Sequence, residues 1–319
     1  MSEHILNMLP IVEEEKPLFE SLMPDAVWEY PRRSTVTPEQ LSKATVIMGA
    51  PIPIQLVHAT NLRWLQSLWM GVDDYVAPGI LPEDVTITAC VGAYRQTVSE
   101  HMLTTLLALC RKLPQCRDNQ LKHQWVDVKQ MRSIRGATVL VVGAGVIGGD
   151  FAKLCKALGA HTVGLKRTVT GPIDGFDEVD TMENLDKRLP QADVVALILP
   201  HAPETVKLMD ARRLALMKPD AILISDGRGT VLDQDALAEA MTAGHLWGAA
   251  LDVTVPEPLP ADSPLWDIPN LLLTPHVAGG IRMEVSRKSA VDFCLKNFER
   301  YAKGQPLEGV MRPGQVGQK

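Results

Sequence analysis

Residues 137–148 constrain this chain more than any other stretch. Ala137-Thr138-Val139-Leu140-Val141-Val142 is an apolar, β-branched run of the kind buried in a parallel sheet, and it ends on Gly143-Ala144-Gly145-Val146-Ile147-Gly148. The next residues place Phe151, Leu154, Cys155 and Leu158 at i, i+3, i+4 and i+7, an amphipathic helix stopped by Gly159. Strand, glycine turn and helix in this order make a dinucleotide-binding unit. Gly143 permits the tight turn, Gly145 lets the backbone approach a pyrophosphate, and Gly148 lets helix and strand pack closely. Val146 and Ile147 then open a helix whose N-terminus faces negative charge.

The alternation continues on both sides of that unit. Further apolar strands are expected at 161–165, 193–199, 221–225, 247–253 and 271–274, with a helix over 233–243 that has an acidic start and Gly244 just past its end. The first hundred residues repeat the style in shorter pieces, with strands at 5–9, 44–48, 65–69 and 85–89. A long helix over 98–113 leaves this part, and a second amphipathic helix over 282–301 returns to it. The tail after Pro306 reads as weakly ordered.

At 319 residues the chain exceeds what one core usually serves. The pattern predicts an α/β protein of two Rossmann-like, doubly wound parallel-sheet domains. A dinucleotide-binding domain at 99–281 is inserted into a flavodoxin-like substrate domain made of 1–98 and 282–319. Two crossings of the chain between domains would form a hinge, and a cleft there is a common place for a ligand.

Composition narrows the function classes. A formal charge of −6 and the absence of a long Lys/Arg cluster argue against a nucleic-acid or anionic-membrane surface. The first residues lack a basic segment followed by an apolar one, and no apolar run approaches the length of a membrane span, so a cytoplasmic protein is expected. Five scattered cysteines, Cys90, Cys110, Cys116, Cys155 and Cys294, contain no C-x-x-C pair; no disulfide framework or metal site is expected, and most should be buried thiols.

Three late residues carry the chemistry: Arg228 in Ser-Asp-Gly-Arg-Gly, Glu257 in Pro-Glu-Pro-Leu-Pro, and His276 in Thr-Pro-His-Val-Ala-Gly-Gly. A cation, an acid and an imidazole beside a nicotinamide supply what reduction of a 2-keto acid needs: an anion clamp, a carboxylate that orients the donor, and a proton donor. At the end of the second strand of the dinucleotide unit, where NAD-binding folds carry an acidic residue, stand Lys166-Arg167-Thr168. Two cations and a hydroxyl suit a 2′-phosphate, so NADP is the preferred cofactor, with NAD possible.

With these residues in view the chain resembles the D-isomer-specific 2-hydroxyacid dehydrogenase family, over nearly its whole length. The resemblance rests on Gly71-Val72-Asp73, Val98-Ser99-Glu100-His101, the glycine turn, Leu199-Pro200-His201-Ala202-Pro203-Glu204-Thr205, Gly227-Arg228-Gly229, Ala250-Leu251-Asp252-Val253, Glu257-Pro258-Leu259-Pro260, and Ser263-Pro264-Leu265-Trp266 running to Thr274-Pro275-His276. It implies a small 2-keto or 2-hydroxy acid as substrate, a homodimer, Arg228 holding the substrate carboxylate, His276 exchanging the proton, and Glu257 orienting the imidazole. It also implies that backbone N–H groups of Met70 and Gly71 bind the carboxylate, and that Asp252 meets the nicotinamide carboxamide. Leu199, Pro200, His201, Thr205, Asp226, Gly227 and Gly279 are the other implied cofactor contacts.

Some positions depart from the family or stand outside its pattern. Asp226 puts a carboxylate in the Ser-Asp-Gly-Arg segment, where it could pair with Arg228. Tyr94 and Arg95 stand where substrate-facing loops are expected, and Arg95 could add an anion contact. His101 is assigned to helix packing, and His58, His123 and His201 have no partner pattern. Trp125 is a candidate interface residue. The competing readings are a dinucleotide-sensing interaction protein like the corepressors that resemble this family, and formate dehydrogenase, which typically has Gln where this chain has Glu257.

Overall fold

Short apolar runs separated by helices assemble here into two sheets, one in each of two units: Met1–Tyr94 with Ile281–Lys319, and Arg95–Gly280. The computed structural model describes residues 2–312 and 314. Among these, no helix is long and apolar enough to cross a membrane, and no group of three His, Cys, Asp or Glu side chains is placed to hold a metal ion.

The first unit contains parallel strands β1 (His4–Asn7), β2 (Val27–Glu29), β3 (Val46–Gly49), β4 (Trp64–Ser67) and β5 (Thr86–Thr88), in the flavodoxin-like spatial order β2-β1-β3-β4-β5. Leu6, Ile47, Leu65 and Ile87 repeat at the same register position in successive strands and are wholly buried against Leu41 and Leu56. Trp64 stacks on Tyr301 and Phe298 of the helix Glu284–Ala302, so the returning segment completes this unit's own core.

Two edge strands fall outside the expected set. β2 and the strand Val310–Arg312, which pairs antiparallel with β5, present no continuous apolar run because edge positions are half solvated. The segment after Pro306 is therefore held rather than loose as far as it is described: the Glu308 N–H donates to Asn297 Oδ1, and Asn297 Nδ2 donates back to the Glu308 carbonyl. Residues 313 and 315–319, the rest of that expectation, lie outside the described residues.

The second unit holds seven parallel strands: β6 (Thr138–Val142), β7 (His161–Lys166), β8 (Glu178–Thr181), β9 (Val194–Leu197), β10 (Ile222–Ser225), β11 (Gly248–Leu251) and β12 (Leu271–Leu273). Their order, β12-β11-β10-β9-β6-β7-β8, is the doubly wound arrangement with one extra strand, and its direction of winding reverses between β6 and β9. β8, Glu-Val-Asp-Thr, is a polar edge strand that an apolar-run criterion misses. One face of the sheet buries Leu140, Val163, Val195, Leu223 and Leu251 in a single cluster. Helix α1 (Arg95–Cys110) packs on β10 and β11 and against α2 (Val146–Ala157), while Asp233 caps α3 (Gln234–Thr242) by accepting from the Ala236 N–H. Four of the five cysteines are buried thiols, with Cys116 exposed.

Candidate active site

The glycine turn sits at the carboxyl end of β6, where the sheet reverses. N–H groups of Gly143 and Ala144 both donate to the Leu165 carbonyl, which fastens the turn to β7. Gly143 has φ +115°, and a Cβ there would stand 2.3 Å from the Ile198 carbonyl oxygen; one on Gly148 would stand 2.3 Å from the Gly143 carbonyl oxygen. Neither position admits a larger residue without moving backbone. Gly145 differs: a Cβ there would meet nothing within 4 Å, and it is the N-cap of α2 with no side chain capping the helix. An open approach to the uncapped first turn of a twelve-residue helix fits a pyrophosphate.

Fastening the turn to Leu165 brings Lys166, Arg167 and Thr168 to the same edge, all exposed. Glu204 Oε1 lies 3.7 Å from Arg167 Nη1, although both side chains are largely exposed and such a pair contributes little, about 0–1 kcal/mol.

A second set of residues lines up just beyond β9 to β12. The register Leu197↔Ser225, Ser225↔Leu251, Leu251↔Leu273 makes Ile198, Asp226, Asp252 and Thr274 the next row across the sheet. Asp252 is buried, and its carboxylate is taken up within the chain: Oδ1 accepts from Thr274 Oγ1 at 2.6 Å and from the Val277 N–H at 2.9 Å, and Oδ2 accepts from the Ala278 N–H at 2.9 Å. The loop that carries His276 therefore hangs from one carboxylate. The His276 backbone N–H also donates to the Asp252 and Thr274 carbonyls, which holds His276 at φ +52°, an uncommon conformation for a non-glycine residue.

This loop presents the imidazole to Glu257. His276 Nδ1 lies 2.8 Å from Glu257 Oε2, while Oε1 of the same carboxylate accepts from the Thr254 N–H at 3.0 Å. Glu257 is thus fixed at both oxygens, and with Nδ1 as the donor, Nε2 is the ring nitrogen left to exchange a proton. Arg228 follows β10, and its Nη1 donates to the Gly227 carbonyl at 2.9 Å. The adjacent Gly229 packs on the residue that anchors Glu257, since a Cβ there would come within 2.4 Å of the Thr254 carbonyl oxygen. Three strand ends thereby deliver a guanidinium, a carboxylate and an imidazole to one end of one sheet.

A family model described as D-isomer specific 2-hydroxyacid dehydrogenase, NAD binding domain, matches residues 103–278. The chain belongs to the D-isomer-specific 2-hydroxyacid dehydrogenase family. It is 31% identical over 267 residues, 81% of each chain, to glyoxylate/hydroxypyruvate reductase B of Pectobacterium carotovorum. Among solved structures, a D-isomer specific 2-hydroxyacid dehydrogenase family protein from Aeromonas salmonicida superposes with a TM-score of 0.86 at 31% identity, covering 98% of this chain and 99% of that one. An NADPH-dependent glyoxylate/hydroxypyruvate reductase from Sinorhizobium meliloti, in complex with NADP and sulfate, gives 0.81 at 26% identity, covering 97% and 98%. The present dehydrogenase is accordingly an oxidoreductase of 2-hydroxy acids that uses a nicotinamide dinucleotide.

Several side chains of the dehydrogenase stand differently from expectation. Asp226 does not pair with Arg228; both its carboxylate oxygens are buried without a hydrogen-bond partner. Tyr94 is buried, with its hydroxyl donating to the Leu68 carbonyl and its ring against Trp69, so it packs rather than faces substrate. Arg95 is held by Asp150 through Nε and Nη2, which occupies the guanidinium proposed as an anion contact. His201 has a partner after all, Thr230 Oγ1 at 2.9 Å, and the Thr205 hydroxyl is used inside its own turn, donating to the Pro200 carbonyl and accepting from the Ala202 N–H. Leu199 and Gly227 stand back to back, a Cβ on Gly227 falling 2.6 Å from the Leu199 carbonyl oxygen. Pro200 begins the exposed turn that Thr205 closes, and Gly279 lies directly beyond the loop held by Asp252. Met70 is exposed and Gly71 half-buried, on the loop that follows β4.

His101, assigned to packing, does more than fill space. Its Nε2 lies 3.2 Å from Thr274 Oγ1 and 3.8 Å from Asp252 Oδ1, so α1 braces the same loop from the other side. Asp252→Asn would set an amide against one of the N–H donors of residues 277 and 278. It should lower the unfolding free energy by about 1–3 kcal/mol and reduce kcat more than dinucleotide affinity, which thermal unfolding, kinetics and a binding titration measure together.

Proposed function

We propose that the enzyme reduces a small 2-keto acid, such as glyoxylate or hydroxypyruvate, to the D-2-hydroxy acid with NADPH as the preferred reductant. The observation that carries this reading is the His276–Glu257 contact of 2.8 Å, with the imidazole backbone pinned to Asp252 and Glu257 tied to Thr254. A nicotinamide dinucleotide, when bound, supplies the hydride. Val146 and Ile147, in the uncapped first turn of α2, hold its pyrophosphate, while Arg228 binds the substrate carboxylate and polarises the keto oxygen. His276 Nε2 gives its proton to that oxygen as the carbon is reduced, and Glu257 keeps the ring oriented for the transfer. Backbone N–H groups of Met70 and Gly71 are the proposed second hold on the carboxylate.

Glu257 also favours this reading over formate oxidation, where hydride leaves the substrate and no proton donor is needed. A substrate panel of small 2-keto acids with both reduced cofactors is the test. Turnover of one or more keto acids supports the assignment; tight dinucleotide binding without turnover of any of them would favour the sensing role instead.

Lys166, Arg167 and Thr168 beside the glycine turn support the preference for NADPH, since charge-assisted hydrogen bonds to a 2′-phosphate would form there. The expected kcat/KM ratio of NADPH over NADH is about tenfold or more, the size of one such contact at roughly 1.4 kcal/mol. A preference for NADH would overturn it. The proposed assembly is a homodimer, supported by the exposed apolar side chains of Leu121, Trp125 and Val126 on one segment of the second unit.

A further inference from the structure

Asp226 is the polar side chain that the proposed reaction leaves unexplained. Its two carboxylate oxygens, like the neighbouring Ser225 hydroxyl, are buried with no hydrogen-bond partner. Register places it beside Asp252 in the row beyond the strand ends. The two carboxyls are treated very differently: Asp252 accepts from three donors, whereas Asp226 accepts from none. A second negative charge in that position would be unsolvated and next to a like charge, so the neutral acid is the stable form. Burial, with Asp252 adding to it, holds the Asp226 carboxyl well above the ordinary carboxylate range.

The charged and titratable groups on adjoining elements are few. β11 contributes Asp252, α1 contributes His101 near that carboxylate, the loop after β12 carries His276, and Arg228 stands two residues along with its guanidinium on the Gly227 carbonyl. On the β9 side the row ends in Ile198 and Leu199, which bring none. The carboxyl ends of these strands are also where a doubly wound sheet receives its dinucleotide. A nicotinamide ring is neutral when reduced and carries a positive charge when oxidised, so the two cofactor forms present opposite electrostatic demands to a lone buried acid.

We propose that Asp226 makes this site sensitive to the redox state of its cofactor: it keeps its proton beside the reduced ring and releases it to solvent when the oxidised ring binds. No covalent bond to the cofactor changes; a carboxylic acid and an oxidised dinucleotide become a carboxylate facing a cationic ring, plus one proton in solution. The inference rests on the nicotinamide-dinucleotide reading above. Its consequence is that the oxidised form binds more tightly as pH rises, while the reduced form does not follow.

Dissociation constants of NADP and NADPH, measured across pH for the wild type and for Asp226→Asn, test this directly. Taking the ratio of the two cancels titration of the 2′-phosphate, which both ligands share. In the wild type the affinity for NADP relative to NADPH should rise with pH by up to about tenfold per unit, the limit for one linked proton. In D226N, whose amide cannot titrate, the rise should be shallower by that one proton. His276 repels the same ring when protonated but is present in both proteins, so the difference belongs to Asp226. Superimposable profiles would overturn the proposal. Calorimetry of the wild type alone, in buffers of different ionisation enthalpy at about pH 8–9, above the ordinary imidazole range, keeps the test open should D226N fold poorly. There NADP binding should still release more protons than NADPH binding, and equal release would refute the role. If neither dinucleotide binds, the cofactor reading itself falls, and this inference with it.

Discussion

Replacing His276 by alanine is expected to lower kcat for 2-keto acid reduction by about 10²- to 10⁴-fold, the usual worth of a positioned general acid. The imidazole is exposed and touches Glu257 through Nδ1, so its loss removes the proposed proton donor without opening a core cavity. Dinucleotide affinity should change little, because the pyrophosphate cradle, the glycine turn after β6 with the first turn of α2, lies several strands across the sheet from the His276 loop after β12. Steady-state kinetics with the best keto acid of the panel, alongside a fluorescence titration of NADPH, separates the two effects. A variant that turned over at near wild-type rate would remove His276 from the mechanism and leave Glu257 without a purpose.

Arg228→Lys is the second large effect, expected to reduce kcat/KM by about 10²- to 10³-fold, comparable to deleting one donor aimed at a developing oxyanion. Lysine retains the charge but not the planar fork that grips a carboxylate at two points. The loss should appear in both KM and kcat, since in the proposed reaction the same guanidinium binds the substrate and polarises its carbonyl. Thermal stability should stay close to wild type, because Arg228 is half-buried at a strand end and Gly229, not the arginine, makes the close contact with Thr254. Retention of activity in R228K would show that a point charge suffices and that substrate orientation comes from elsewhere.

Much of this architecture was legible from residue order. Apolar runs ending on glycine or polar residues located the central strands of both sheets, because central parallel strands are buried on two faces and leave little room for polar side chains. β2, β8 and the strand Val310–Arg312 were missed for the converse reason: Glu-Val-Asp-Thr and Val-Met-Arg lie at edges, and what makes them strands is a neighbour's unpaired backbone. In the site, the Glu257–His276 pair follows from motif spacing. Hydrogen-bond ownership does not: that Asp252 suspends the His276 loop, that Asp150 occupies Arg95, and that Tyr94 caps the Leu68 carbonyl all depend on side-chain placement between distant segments. A hint lay in Thr274, a hydroxyl at the end of an otherwise apolar strand, which turns out to join His101 to Asp252.

Position 276 answers to two unrelated demands. In the proposed reaction its ring exchanges a proton, and its backbone must sit at φ +52°, where β-branched and bulky residues are disfavoured and Asn, Asp and Gly are tolerated. A saturation library at this codon would therefore sort on two axes, with asparagine and glycine inactive but well folded, and valine and isoleucine inactive and less soluble. The evolutionary path away from histidine is correspondingly narrow: a descendant that gave up the reaction while keeping the fold would pass most easily through asparagine, leaving the loop's shape as a fossil of the lost chemistry.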